Sequence, residues 1–178
     1  MAIRPIHLLG SPVLRRRADE ITAIDDDVRA LVEDLFDTMA AASGVGLAAN
    51  QIGVARRVAV INADGQTFAM INPRVVQADG RAGEEEGCLS IPDMFAEVSR
   101  PERVTLEAQN ETGEIFTLEL AGLPARAVQH ELDHLDGVMF IDHLTLLKRQ
   151  LLVTRWKKEH RDEPLTRMPR PEEPKEAG

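Results

Sequence analysis

Apolar positions along this chain recur at two periods. Val28, Leu31, Val32, Leu35 and Met39 fall at helical spacing behind Asp25-Asp26-Asp27, whose carboxylates suit a helix cap and first turn. Val128, Leu132, Leu135 and Val138, with Leu123 upstream, form a second stripe and predict a helix over 123–136. Pro124 suits its first turn and Gly137 its left-handed stop. A last helix, about 145–160, carries Leu146, Leu147, Leu151, Val153 and Trp156. Elsewhere the period is two. Residues 57–61 and 68–71 read as strands around Asn62-Ala63-Asp64-Gly65; Asn72-Pro73 breaks the second, and 74–77 resumes an extended run. Residues 103–109 and 115–120 alternate across the Asn110-Glu111-Thr112-Gly113 link and predict a hairpin. Pro92 and Pro101 frame a loop or an edge. Past Asp162 four prolines stand among charges, so 162–178 reads as a disordered tail behind one domain over 1–161.

Composition narrows the class. With 43% hydrophobic residues the chain can build a core, but aromatics are 3% and Tyr is absent, so Leu, Val, Ile and Ala must fill it. A net charge of −9 argues against a general binder of free nucleic acid, because phosphate affinity needs positive surface. Arg15-Arg16-Arg17 reads as solvated surface. One cysteine rules out an internal disulfide, so that thiol is a core filler, a ligand or a nucleophile. No run approaches the roughly 18 apolar residues of a membrane span, and the N-terminus has neither a signal core nor transit-peptide character. A reducing, cytoplasmic setting is the expectation.

The second helical stripe carries the chemistry. His130-Glu131-Leu132-Asp133-His134 is H-E-x-x-H. On a helix the two histidines project from one face a turn apart and can hold one divalent cation. Glu131 lies about 100° round from His130, close enough to reach a water at the ion without ligating it. The bland alternative is an amphipathic helix with two surface histidines. A catalytic site needs a third protein ligand, and spacing alone leaves Cys88 and Glu159 both open. Cys88 follows Glu84-Glu85-Glu86; those carboxylates would raise its pKa and make a poor free nucleophile, whereas a bound cation would hold it as thiolate. Glycines at 44 and 46 permit close approach of backbone to a ligand, but Ala49 stands where a dinucleotide fingerprint needs its third glycine.

Three stretches together resemble the motifs of the peptide deformylase family. Gly44-Val45-Gly46-Leu47-Ala48-Ala49-Asn50-Gln51 is similar to G-x-G-x-A-A-x-Q, Glu86-Gly87-Cys88-Leu89-Ser90 to E-G-C-L-S, and Gln129 to Gly137 to Q-H-E-x-D-H-L-x-G. Their order and separations agree, and the resemblance covers roughly residues 1–160. It implies an α+β fold with short antiparallel sheets around the central helix and a C-terminal helix. It implies that Cys88, His130 and His134 hold one divalent metal with water in the fourth position; the family uses ferrous iron, and zinc or nickel can replace it. By the same resemblance Glu131 is the general base, and Gln51 and the Leu89 N–H meet the oxyanion as an N-formylmethionyl peptide is cleaved to formate. The peptide would lie as an added strand along Val45-Gly46 and Glu86-Gly87-Leu89, its methionine among Val45, Leu123, Ala127 and the His130 ring. Asp133 would support the site without ligating.

Two positions depart from the family pattern. Phe95 stands where some members place a basic partner for the motif glutamate, which puts an ion pair to Glu86 in doubt. Arg126 stands where some members are apolar, and is expected at the pocket rim or in solvent. Lys148, Arg149, Arg155, Lys157 and Lys158 give the last helix a basic strip; a solvated face is the plain reading, and docking on the ribosome is what the resemblance adds.

Overall fold

The structure, a computed structural model, describes residues 2–171. A short strand, β1 (Ile6–His7), and a 3-10 turn at Pro12–Arg15 precede helix α1 (Asp26–Ala41). Asp25 caps α1, its carboxylate accepting from the Val28 N–H at 3.0 Å. Strands β2 (Gly46–Ala48), β3 (Val58–Ala63), β4 (Gln66–Asp79), β7 (Arg103–Gln109) and β8 (Ile115–Ala121) form one antiparallel sheet in the order β2-β3-β4-β7-β8. Between β4 and β7 the chain makes a separate hairpin, β5 (Ala82–Cys88) with β6 (Ile91–Arg100). Helix α2 (Leu123–Leu135), a 3-10 turn at Phe140–His143, helix α3 (Leu146–Glu159) and strand β9 (Thr166–Arg167) follow.

Strand β3 explains how α1 and α2 share one sheet. Val58 and Val60 join the core under α1, with Leu31, Val32 and Leu35; Ala59 and Ile61 join the core under α2, with Val128 and Leu135. Alternate side chains of one strand thus face two helices, and Val58-Ala59-Val60-Ile61 is apolar throughout because both faces are buried. Leu135 is completely buried, and truncating such a side chain to Ala costs about 2–5 kcal/mol. A third core, with Leu8, Ile91, Met94, Phe140 and Trp156, joins the β5–β6 hairpin to the N-terminal segment and α3.

Three elements differ from the sequence-based expectation. β4 runs through Asn72-Pro73, because a register shift between Ile71 and Arg74 absorbs the proline that cannot donate to the ladder. Asn72 takes a positive φ of 49° and its amide bonds both the N–H and the C=O of Ile21, each at 2.8 Å. The β5–β6 hairpin stands where the sequence pattern predicts a loop or an edge: consecutive carboxylates and Pro92 hide its strands, whose buried positions are Glu86 on β5 and Ile91, Met94, Val98 and Arg100 on β6. Residues 162–171 are not the structureless tail their composition suggests. Thr166-Arg167 pairs antiparallel with Ile6-His7, and the Leu8 N–H donates to the Leu165 C=O at 2.8 Å. Residues 172–178 of the expected tail lie outside the described residues. Among the described residues no helix is long and apolar enough to cross a membrane.

Candidate metal centre and its cleft

Helix α2 places His130 and His134 one turn apart, with ring centroids separated by 4.9 Å. Its stop is Gly137, just past the Asp136 cap, where φ is 75° and a Cβ would lie 2.7 Å from the Arg15 carbonyl oxygen, so only glycine fits. Cys88 closes β5, where a register shift follows Glu86 and turns the sulfur toward α2. The His130 Nε2 lies 3.2 Å from the His134 Nε2, which is 3.3 Å from the Cys88 Sγ. All three donor atoms fall within 4.8 Å of one another. Two nitrogens bound at 2.0–2.1 Å with tetrahedral angles stand roughly 3.3 Å apart, so the spacing suits a single divalent ion. The donor set, one thiolate and two imidazoles, is compatible with zinc or ferrous iron. Glu159 is exposed on α3 and paired with Arg155 at 2.9 Å; it has no place in the cluster.

Glu86 orients the first histidine. Its Oε1 lies 2.9 Å from the His130 Nδ1, which fixes Nδ1 as the protonated nitrogen and leaves Nε2 to face the cluster. Two guanidinium groups hold the carboxylate: Arg100 through Nε at 2.6 Å and Nη2 at 2.9 Å, and Arg126 through Nη1 at 2.6 Å. Burial opposes charge on Glu86, but the hydrogen bonds from His130 and Arg100, with the Arg100 charge, hold it down at about 2. Arg100 also reaches Asp133 at 2.9 Å, and Asp133 meets His143 at 2.7 Å. Asp133 is therefore committed to Arg100 and His143 and is absent from the cluster.

Glu131 is 3% exposed, and burial pushes its carboxyl up to about 7. Its Oε2 is buried with no hydrogen-bond partner among the described residues. An acceptor left unpaired in this way is costly unless a ligand, water or ion meets it. A Cβ on Gly46 would stand 2.7 Å from the Glu131 Oε1, so the glycine lets β2 press directly against this carboxylate. Gln51 follows in the 3-10 turn Ala49–Ile52; its Oε1 accepts from the Ala48 N–H at 3.0 Å. Its Nε2 donates to the Ser90 Oγ at 3.1 Å and sits 3.7 Å from the Cys88 Sγ. Burial and the neighbouring His130 push the His134 ring well below the ordinary imidazole range, which favours the neutral form that ligates metals. These groups open into a cavity of about 240 Å³ that Val45, Gly46, Gln51, Leu89, Leu123, Ala127, His130 and Glu131 help to line.

The cavity gathers Cys88, His130, Glu131, Gln51, Leu89 and the residues expected along the peptide; His134 is fully buried and, like Asp133 and Glu159, does not line it. Two readings can be compared with the geometry. Arg126 lines the cavity, as the rim alternative expects, and not solvent: it is 9% exposed, and its guanidinium lies against Glu86, the Val98 C=O at 2.9 Å and the Ala82 C=O at 2.8 Å. Phe95 indeed makes no ion pair, but Glu86 does not lack one, since Arg100 and Arg126 supply it. Arg100 escaped the sequence reading because no local spacing links it to Glu86. Only the hairpin register, which sets Ala96 opposite Glu86 and Arg100 opposite Ala82, carries it there.

A cysteine joined to a helix-borne pair of histidines, with a buried carboxylate beside them, defines the class of metal-dependent hydrolases. Comparison with known proteins makes this specific. Residues 3–150 match the family described as polypeptide deformylase, and the chain belongs to that family. A peptide deformylase of Acidobacterium capsulatum is 46% identical over 167 residues, covering 90% of this chain and 98% of the relative. The crystal structure of a peptide deformylase from Legionella pneumophila superposes with a TM-score of 0.86 at 40% identity, covering 92% of this chain and all of that one. One from Ehrlichia chaffeensis, in complex with actinonin, gives 0.87 at 33% identity, covering 90% and 99%.

Proposed function

We propose that this chain removes the formyl group from the N-terminal methionine of nascent polypeptides, a hydrolysis that releases formate. The observation that carries the reading is the convergence of Cys88, His130 and His134 beside the Glu131 Oε2, which has no hydrogen-bond partner among the described residues. Those three side chains are assigned as metal ligands. The resemblance to the family favours ferrous iron as the ion, with zinc or nickel as substitutes. Bound there, the ion supplies Lewis acidity toward the formyl oxygen and the attacking water.

The remaining work falls to the chain's own groups. β2 is an edge of its sheet and β5 an edge of its hairpin, so an extended peptide fits between Val45-Gly46 and Glu86-Gly87-Leu89 as an added strand. The methionine side chain enters among Val45, Leu123, Ala127 and the His130 ring. Glu131 takes a proton from the attacking water at Oε2 as the water oxygen adds to the formyl carbon. The Leu89 N–H and the Gln51 amide donate to the oxygen on which charge develops, an arrangement often worth several kcal/mol. The C–N bond then breaks, Glu131 hands its proton to the methionine nitrogen, and formate leaves. Formyl is the smallest acyl group, so an oxyanion end that fits it closely can exclude acetyl.

The decisive experiment uses protein purified anaerobically, assayed for bound metal and for formate from a formyl-methionyl dipeptide. Glu131→Gln should keep the ion and lose about 10²–10⁴-fold in kcat; full activity in that variant would overturn the assignment.

Residues 1–161 are assigned as the catalytic domain, acting in the cytoplasm. The basic strip of α3 reads first as a solvated face, and ribosome docking is the further role we propose for it. Arg149 and Arg155 are paired with Asp142 and Glu159, which leaves Lys148, Lys157 and Lys158 exposed for phosphate contacts. Co-sedimentation with ribosomes that weakens as salt rises is expected; binding indifferent to salt, or none, counts against it.

A further inference from the structure

His143 ends the 3-10 turn Phe140–His143, and no step of the proposed reaction uses it. Its Nε2 lies 2.7 Å from the Asp133 Oδ2, and the same oxygen accepts from the Arg100 Nη1 at 2.9 Å. An ionised carboxylate only accepts, so the His143 Nε2 carries the proton of that bond. The Arg100 Nε and Nη2 fork onto the two oxygens of Glu86, whose Oε1 faces the His130 Nδ1. A guanidinium is planar, so its Nη1 edge cannot turn without turning that fork. An unbroken line of contacts therefore runs from His143, 37% exposed, through Arg100 and Glu86, 5% exposed each, to His130. The same turn makes a second contact. The Phe140 ring lies 23° from parallel to the His130 ring, with centroids 6.3 Å apart. One turn thus meets His130 on its ring face through Phe140 and at Nδ1 through the line from His143.

Resting on the assignment of His130 as a ligand in the deformylase reading, we propose that His143 is a positioning residue for the metal centre. It acts through Asp133, Arg100 and Glu86 to hold the His130 ring at the angle the ion needs. Asp133 is 23% exposed, and its side chain is bonded by Arg100 and His143. Without His143 its carboxylate is held from one side only and is free to turn toward solvent, taking the Nη1 edge of Arg100 with it. The partner on the second nitrogen of a ligating histidine fixes the ring, and losing it typically weakens metal binding about 10–100-fold. His143 stands three contacts beyond that partner, and Arg126 keeps its own hold on Glu86. The effect of losing His143 is therefore smaller, about three- to tenfold. Asp142 pins the turn independently through Arg15 and Arg149, so replacing His143 tests its N–H without releasing the turn.

The test compares the parent full chain with His143→Leu, His143→Gln, Asp133→Asn and the double variant His143→Leu with Asp133→Asn. His143→Gln keeps a side-chain N–H near the place of Nε2, and His143→Leu keeps bulk alone. Zinc affinity is measured by competition with a chromophoric chelator. The cobalt(II)-loaded proteins are compared by visible absorption, which reports ligand geometry at the ion. His143→Leu should bind zinc about three- to tenfold more weakly, shift the cobalt bands, and lower kcat for a formyl-Met dipeptide with KM unchanged. His143→Gln should restore affinity and spectrum. In the Asp133→Asn background His143→Leu should add nothing. Parent affinity with unmoved bands in His143→Leu overturns the role. So does His143→Gln as impaired as His143→Leu, or full additivity in the double variant. If His143→Leu does not fold, Asp133→Asn carries the test, and parent cobalt bands there break the line and overturn the role. Zinc and cobalt need no formyl substrate. Bands that move while the parent releases no formate overturn the deformylase reading and leave the positioning role in place; formate from the parent with bands unmoved overturns the role alone.

Discussion

The Arg126 Nη1 and the Arg100 Nε each meet the Glu86 Oε2 at 2.6 Å, while the other oxygen of that carboxylate faces His130. Arg126 also caps two carbonyls of the β5–β6 hairpin, so one side chain ties α2 to the strand that bears Cys88. Arg126→Met keeps the length and removes the charge. It should cost about 3 kcal/mol, the lower end for breaking a buried pair because Arg100 still holds Glu86. That corresponds to a fall in Tm of roughly 6–12 °C by calorimetry. A Tm within a degree or two of the parent would show that the Arg126 contacts carry no stability.

Gly46 and Glu131 make a second close pairing. A Cβ on Gly46 would meet the Glu131 Oε1 at 2.7 Å and its Cγ at 3.0 Å. The carboxylate end can swing, and the helix behind it cannot. Gly46→Ala is therefore expected to fold and bind metal while displacing Glu131 by a fraction of an ångström to an ångström, with kcat reduced about a hundredfold. A kcat within threefold of the parent would mean that Glu131 is not held where the reaction needs it.

How much of this was legible beforehand depended on range. His130, Glu131 and His134 could be read because one turn of helix is all that joins them, and the stripe Val128, Leu132, Leu135 announces that helix. Cys88 is in another element. Periodicity left it level with Glu159, and only the resemblance of its Glu-Gly-Cys-Leu-Ser setting favoured it. Arg100 could not be read at all, and Arg126 only as a rim or solvent position, because their meeting at Glu86 needs the register of a hairpin whose strands are disguised by Glu84-Glu85-Glu86 and by Pro92. β9 was hidden for a related reason: a two-residue strand makes no periodic signal, and its prolines resemble those of a solvated tail.

The cluster itself predicts a thermodynamic signature. The His134 Nδ1 and the Glu131 Oε2 are buried without partners among the described residues, and three ligand atoms face one point. An ion that binds only the folded chain stabilises it by mass action, about 2.7 kcal/mol at a hundred times Kd. Chelation under anaerobic conditions should therefore lower Tm, and adding back one equivalent of a divalent ion should restore it. Cys88→Ala should fold, melt near the chelated parent and fail to respond to the ion. A Tm indifferent to chelator and metal would remove the metal site from consideration.

Acid stability gives the last prediction, away from the metal cluster. Asp142 accepts from the Arg15 Nη1 at 2.6 Å and the Met139 N–H at 3.0 Å, and lies 3.1 Å from Arg149. It thereby joins the N-terminal 3-10 turn to α3. Burial would raise its pKa, but the Arg15 hydrogen bond, the Met139 N–H and the two arginine charges outweigh this and lower it below the usual 3.8. A carboxyl depressed in the folded state adds stability that is complete above its unfolded pKa and is lost as pH falls through its folded one. The Tm difference between parent and Asp142→Asn should thus be full at pH 6, begin to shrink near pH 4 and vanish in stronger acid. Taking the difference cancels the other carboxylates, including Glu86, which titrates in the same direction at about 2. Because Asp142 is partly exposed, added salt should also reduce the difference at pH 6. A difference that holds constant from pH 6 down to the acid transition would mean that these contacts act through shape and not through charge.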